Sequence, residues 1–168
     1  MTTPKKAALR IKNYTSEISV EESLGLIRSS LSQHQARRII YENDESGAIV
    51  ALSFEIAVAG HRFTFRLPAR FAGVREQVAR AWESRGRAIR DDALLDEQAQ
   101  RTAWANLKDW VLAQMALIDS SNGLVSTEEV FFPYLLDNGH TAFEAFKEQL
   151  ALPAPKTHNG RISVEEVR

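Results

Sequence analysis

The chain has 168 residues, a net charge of −1 and 44% hydrophobic residues. These are the proportions of a soluble globular domain with enough length for a proper core, and they exclude collagen-like, disulfide-scaffold and wholly disordered classes. With no cysteine in the sequence, disulfides, zinc–thiolate centres and thiol catalysis are excluded together.

Residues 1–12 are polar and basic and predict a flexible arm ahead of a single domain over 13–152. Ser19-Val-Glu-Glu22 has capping-box spacing, and Val20, Leu24, Ile27 and Leu31 follow on one helical face, predicting a helix over 20–34. The period then changes from 3.6 to 2. Arg37–Glu42 is rich in strand formers, and Asn43-Asp-Glu-Ser-Gly47 has turn chemistry. From Ala48 to Val58 the even positions Val50, Leu52, Phe54, Ile56 and Val58 are all apolar. Ala59-Gly60 turns the chain into His61–Leu67, where Phe63, Phe65 and Leu67 alternate with Arg62, Thr64 and Arg66, and Pro68 closes the strand. A three-stranded antiparallel meander with one apolar and one mostly polar face is predicted.

Phe71, Val74, Val78 and Trp82 predict a helix over about 71–84, and Ser84-Arg-Gly-Arg87 a break. The longest element runs over about 91–120. Its acids Asp91, Asp92, Asp96 and Glu97 crowd the N-terminal turns, where the helix dipole favours them. Trp104, Leu107, Val111, Met115 and Ile118 form one apolar row and Ala103, Trp110, Ala113 and Leu117 a second. Two rows predict contact on more than one side and make this helix the spine of the domain. Asn122-Gly123 stops it. A short apolar turn, Val130–Leu136, follows. Thr141-Ala-Phe-Glu144 is a second capping box, opening a helix with Phe143, Phe146 and Leu150. Residues 153–168 read as a mobile tail. The fold class is therefore α+β: an N-terminal helix, the meander, then three to four helices packed on one sheet face.

Three segments read together resemble a known family: Lys12-Asn-Tyr-Thr-Ser16; Arg101–Trp110 with Ala113–Ile118; and Glu129-Val-Phe-Phe-Pro-Tyr-Leu-Leu136. They are similar to small uncharacterised proteins of phages, prophages and other bacterial mobile elements, across roughly residues 12–146. The resemblance implies a bacterial, phage-related setting. Its motif residues are structural in type, so it carries over no catalytic or binding residue.

Chemistry is sparse in the sequence. The histidines at 34, 61, 140 and 158 are too scattered for a local metal motif, and neither H-E-x-x-H nor a calcium loop occurs. The phosphate-cradling glycine patterns and G-x-S-x-G are absent too. No enzyme activity, cofactor or metal is expected. The opening Met1-Thr-Thr-Pro-Lys-Lys has no apolar signal stretch, and no run suits a membrane, which predicts a cytoplasmic protein.

Charge is the more informative feature. Residues 1–59 hold seven bases and seven acids; residues 60–90 hold eight arginines against two glutamates; residues 91–168 hold six bases and thirteen acids. Either the middle segment meets an anionic partner, or its arginines pair with the acids that follow. On the third strand Arg62 and Arg66 share a face, about 13 Å apart at the strand rise, and with Arg70 form the candidate phosphate-binding set. Arg70, Arg75, Arg80 and Arg85 recur every five residues, but each step rotates about 140° past a full turn, so they spiral around the helix. The order helix, three strands, helix is shared with double-stranded-RNA-binding domains. The first helix lacks a basic face, however, and Tyr41 is the one aromatic whose register could place it on the polar sheet face for stacking. Phe131, Phe132 and Tyr134 form the candidate protein interface. The leading expectation is a non-enzymatic binding protein acting on a protein partner or a second copy of itself, with nucleic-acid binding as the alternative.

Overall fold

The computed structural model describes residues 11–86 and 91–151. The chain runs α1 (Val20–Gln33), β1 (Arg37–Asn43), β2 (Ile49–Val58), β3 (His61–Pro68), α2 (Phe71–Glu83) and α3 (Asp92–Ser120). It then forms α4 (Thr127–Phe131), a 3₁₀ turn (Phe132–Tyr134), the two-residue strands β4 (Leu136–Asp137) and β5 (His140–Thr141), and α5 (Ala142–Ala151). This is the α+β arrangement expected: a helix, an antiparallel meander, then helices. The expected basic arm lies outside the described residues apart from Ile11 and Lys12, and the expected tail over 153–168 lies wholly outside them.

The sheet order is β1-β2-β3. A two-residue turn joins β2 to β3, pairing Val58 with His61, so that Ile56 meets Phe63, Phe54 meets Phe65 and Leu52 meets Leu67. Directly opposed residues share a face, so the alternating apolar positions of both strands form one continuous wall. β1 completes it with Tyr41 opposite Leu52. Tyr41 therefore stands on the core face and not on the polar face, where a base-stacking aromatic would be needed.

α1 and α3 cover this wall. Leu24, Ile27 and Leu31 from α1 join Trp104, Val111 and Met115 from α3 against Leu52, Phe54, Phe65 and Leu67. The Phe54 and Phe65 rings stack at 5.3 Å, and Phe131 meets Phe54 edge-on at 5.3 Å. The indole N–H of the buried Trp104 donates to the Ile49 carbonyl at 3.2 Å, which satisfies the ring's polar atom. α1 is tied to α3 near both ends: Gln98 donates to the Ser16 carbonyl at 3.1 Å, and His34 Nε2 lies 2.9 Å from Asp119.

α3 does make contact on more than one side, with only the first half of the second row taking part. Ala103 and Trp110 belong to the main core, whereas Ala113 and Leu117 remain exposed. The second contact lies in the first turns instead, where Leu95 and Ala99 bury against Val78 and Trp82 of α2. A 29-residue helix outruns the elements available to cover it, so its apolar rows are covered only in part.

Candidate protein-interaction site

Two surfaces were candidates, and the structure treats them differently. On the polar face of the sheet, Arg66 lies opposite Ser53 and reaches across β2 to Glu42 on β1. Its Nη2 is 2.8 Å from Glu42 Oε2, and its Nε donates to the same oxygen at 2.9 Å. The Ser53 hydroxyl donates to Glu42 Oε1 at 3.0 Å. The Arg66 guanidinium holds the Glu42 carboxyl below its ordinary range, outweighing partial burial, and the Ser53 hydroxyl helps. Arg66 is thus committed inside the molecule. Arg62 and Arg70 are exposed and have no ion-pair partner among the described residues. Arg70 precedes α2 with a left-handed backbone (φ 50°) and contributes no side-chain cap.

The remaining described arginines of the basic segment also turn to local partners. Arg75 meets Asp92 at 2.9 Å and also pairs with Asp96; Arg80 meets Glu76 at 3.6 Å; Arg85 lies 4.9 Å over the Tyr14 ring. Part of the charge segregation is therefore α2 facing the acidic start of α3. Arg87 and Arg90 lie outside the described residues.

The Phe131–Tyr134 segment divides at its first residue. Phe131 is 0% exposed, enclosed by Phe54, Phe65 and the edge of the Trp110 ring at 5.3 Å. It belongs to the core, which corrects its assignment to an interface. Phe132, the next residue, is 60% exposed. Tyr134 is half-buried, 5.3 Å from Trp110. α4 is only five residues long, and the passage into a 3₁₀ turn at Phe132-Pro133 sends adjacent side chains to opposite sides.

Phe132 borders an open, largely apolar groove of about 410 Å³ between β3 and α4. Phe63 and Phe65 form one wall, and Phe132 and Leu135 the other. Leu135 is fixed there by a backbone bridge to Phe65 on the free edge of β3. Glu128 and Glu129 stand at the rim, on a helix whose start is set by Ser126 accepting the Glu129 N–H at 3.2 Å. Phe63, Leu135 and the two glutamates were not singled out from the sequence. They converge only when α4 docks beside β3, some 65 residues later in the chain, and no local spacing signals that.

A second depression, about 450 Å³, opens beside the start of α1 and is lined by Glu17, Glu21, Glu97 and Arg101 among others. Arg101 is already paired with Glu97 there. Among the described residues no three His, Asp or Glu side chains are placed to hold a metal ion, and no helix is long and apolar enough to cross a membrane. Of the histidines, His34 is bonded to Asp119, His140 lies 3.8 Å from Glu148, His61 is exposed, and His158 is outside the described residues. Compared with protein-family models, curated proteins and solved structures, the chain matches none.

Proposed function

We propose that this is a non-enzymatic, cytoplasmic binding protein of phage or mobile-element type that docks a protein partner, or a second copy of itself, in the groove beside Phe132. The observation that carries this reading is the groove itself: Phe63, Phe132 and Leu135 present an apolar concavity beside Glu128 and Glu129. Phe132 is a large aromatic left exposed at its edge, and aromatic residues are enriched at protein interfaces. The phage-related setting rests on the resemblance of residues 12–146. Nucleic-acid binding through Arg62 and Arg70 is the weaker alternative, since Arg66 between them is held by Glu42.

Affinity capture from bacterial lysate, with and without nuclease, tests the reading. A protein retained after nuclease treatment by the native chain and lost with Phe132→Ser is the expected result. Capture abolished by nuclease, together with oligonucleotide binding that falls steeply between about 50 and 200 mM salt, overturns it in favour of the alternative.

A further inference from the structure

The helix that follows the groove carries an exposed apolar face. Its start is fixed by a complete capping box: the Thr141 N–H donates to Glu144 Oε2 at 2.8 Å and the Glu144 N–H donates to Thr141 Oγ1 at 3.3 Å. Phe143, Phe146 and Leu150 then recur at i, i+3 and i+7, which places them on one face. They are 47%, 53% and 68% exposed. Lys147 shares that side, its ammonium 6.0 Å from the Phe143 ring. α5 packs against the 3₁₀ turn that carries Phe132, so the helix and the groove are neighbours.

We propose that two copies of the chain form a two-fold dimer in which α5 of each lies in the groove of the other. This rests on the reading of the groove as a protein-docking site and names its occupant. Charge supports the choice: Glu128 and Glu129 line the groove, and of the charged residues of α5 it is Lys147 that flanks the apolar face and would meet them, while Glu144 and Glu148 turn away from it. Adjacency supports it too. A two-fold interface needs one patch to present both ridge and hollow, and here they meet at Phe132. The area is of the right order. With about 200 Å² per ring, Phe132, Phe143 and Phe146 together leave about 300 Å² of aromatic surface exposed on each copy. Leu150, the groove walls and the charged rim, counted on both copies, bring the total toward the ~1,200 Å² at which specific interfaces begin.

Sedimentation of the full chain between about 1 and 100 µM tests the proposal. A concentration-dependent dimer is expected, with Phe132→Glu and Phe146→Glu each raising the dissociation constant roughly 30-fold, the scale of an aromatic anchor. Thermal melts by circular dichroism show whether these exposed-site variants stay folded. Lys147→Glu weakens the dimer several-fold, and adding Glu128→Lys and Glu129→Lys restores it. A chain that is monomeric throughout, or a dimer indifferent to both aromatic substitutions, overturns the proposal. If that monomer still retains a lysate protein through Phe132, the docking reading stands without the dimer; if it retains none, both fall.

Discussion

Phe131 and Phe132 are chemically identical neighbours with opposite duties. Phe131 fills the space between the sheet and α3, touching Phe54, Phe65 and Trp110, while Phe132 faces solvent at the groove. Phe131→Ala removes a ring from a closed aromatic cluster and should cost about 3–5 kcal/mol in chemical denaturation, the range for emptying such a site. Phe132→Ser should change folding stability by no more than about 0.5 kcal/mol, as at other exposed positions. Equal losses from the two variants would show that the division between core and surface is misplaced. The sequence pattern offers no means of telling them apart. α4 makes barely more than one turn, so no periodicity accumulates, and which ring turns inward depends on how the segment docks on β3.

At the scale of elements, the meander was readable almost completely. Alternation along β3, with the uniformly apolar even positions of β2, fixes which face is apolar, and the two-residue link between Val58 and His61 fixes the register of β2 against β3. The same register places Ser53 opposite Arg66, so part of the Arg66 commitment was latent in the turn length. Its partner Glu42 was not, because β1 joins β2 through a longer loop and carries bulges. The tight link has a local cost. Ala59 and Gly60 both adopt left-handed backbone, at φ 50° and 84°. Glycine does so freely, but the Cβ of an alanine opposes it by roughly 1 kcal/mol. Ala59→Asn, which supplies the residue type this hairpin turn favours, should therefore stabilise the protein by up to about 1 kcal/mol, measured as a higher melting temperature. An unchanged or lower melting temperature would count against strain at this position.

Across the whole molecule, charged contacts link segments far apart in the chain, and their titration contributes to the pH dependence of stability. Asp109 on α3 receives Lys12 at 2.8 Å and the Asn13 amide at 2.9 Å, while Lys108 lies 3.0 Å away. Lys12 and Asn13 lead in drawing its carboxyl far below the usual carboxylate range, against a smaller opposing effect of burial. Glu42 is lowered chiefly by Arg66. A depressed carboxyl contributes stability above its ordinary pKa and loses it as pH falls through the depressed value. His34 has the opposite sign. Burial alone would lower its pKa, but the Ser30 carbonyl and the Asp119 carboxylate together raise it. Its contribution is complete below the ordinary histidine value of 6.5 and disappears as pH rises through the raised one. Stability should therefore be greatest in the mildly acidic range and fall on both sides. Asp109→Asn should flatten the acid limb, and Asp119→Asn should flatten the decline above neutrality. Denaturation followed across pH for the native chain and both variants checks these signs.

The sequence by itself determined the α+β class, the meander and its apolar face, the principal helices, and the segregation of charge along the chain. Each of these follows from short-range rules of period, capping and turn chemistry, which act within a few residues. Tertiary structure alone decided which side of Phe131-Phe132 becomes core, that Arg66 is held by Glu42, and that α4 and β3 enclose a groove near α5, whose Phe143, Phe146 and Leu150 are exposed. Those outcomes depend on contacts between segments far apart in the chain. They are selected by how whole faces fit together and not by any spacing that can be read along the sequence.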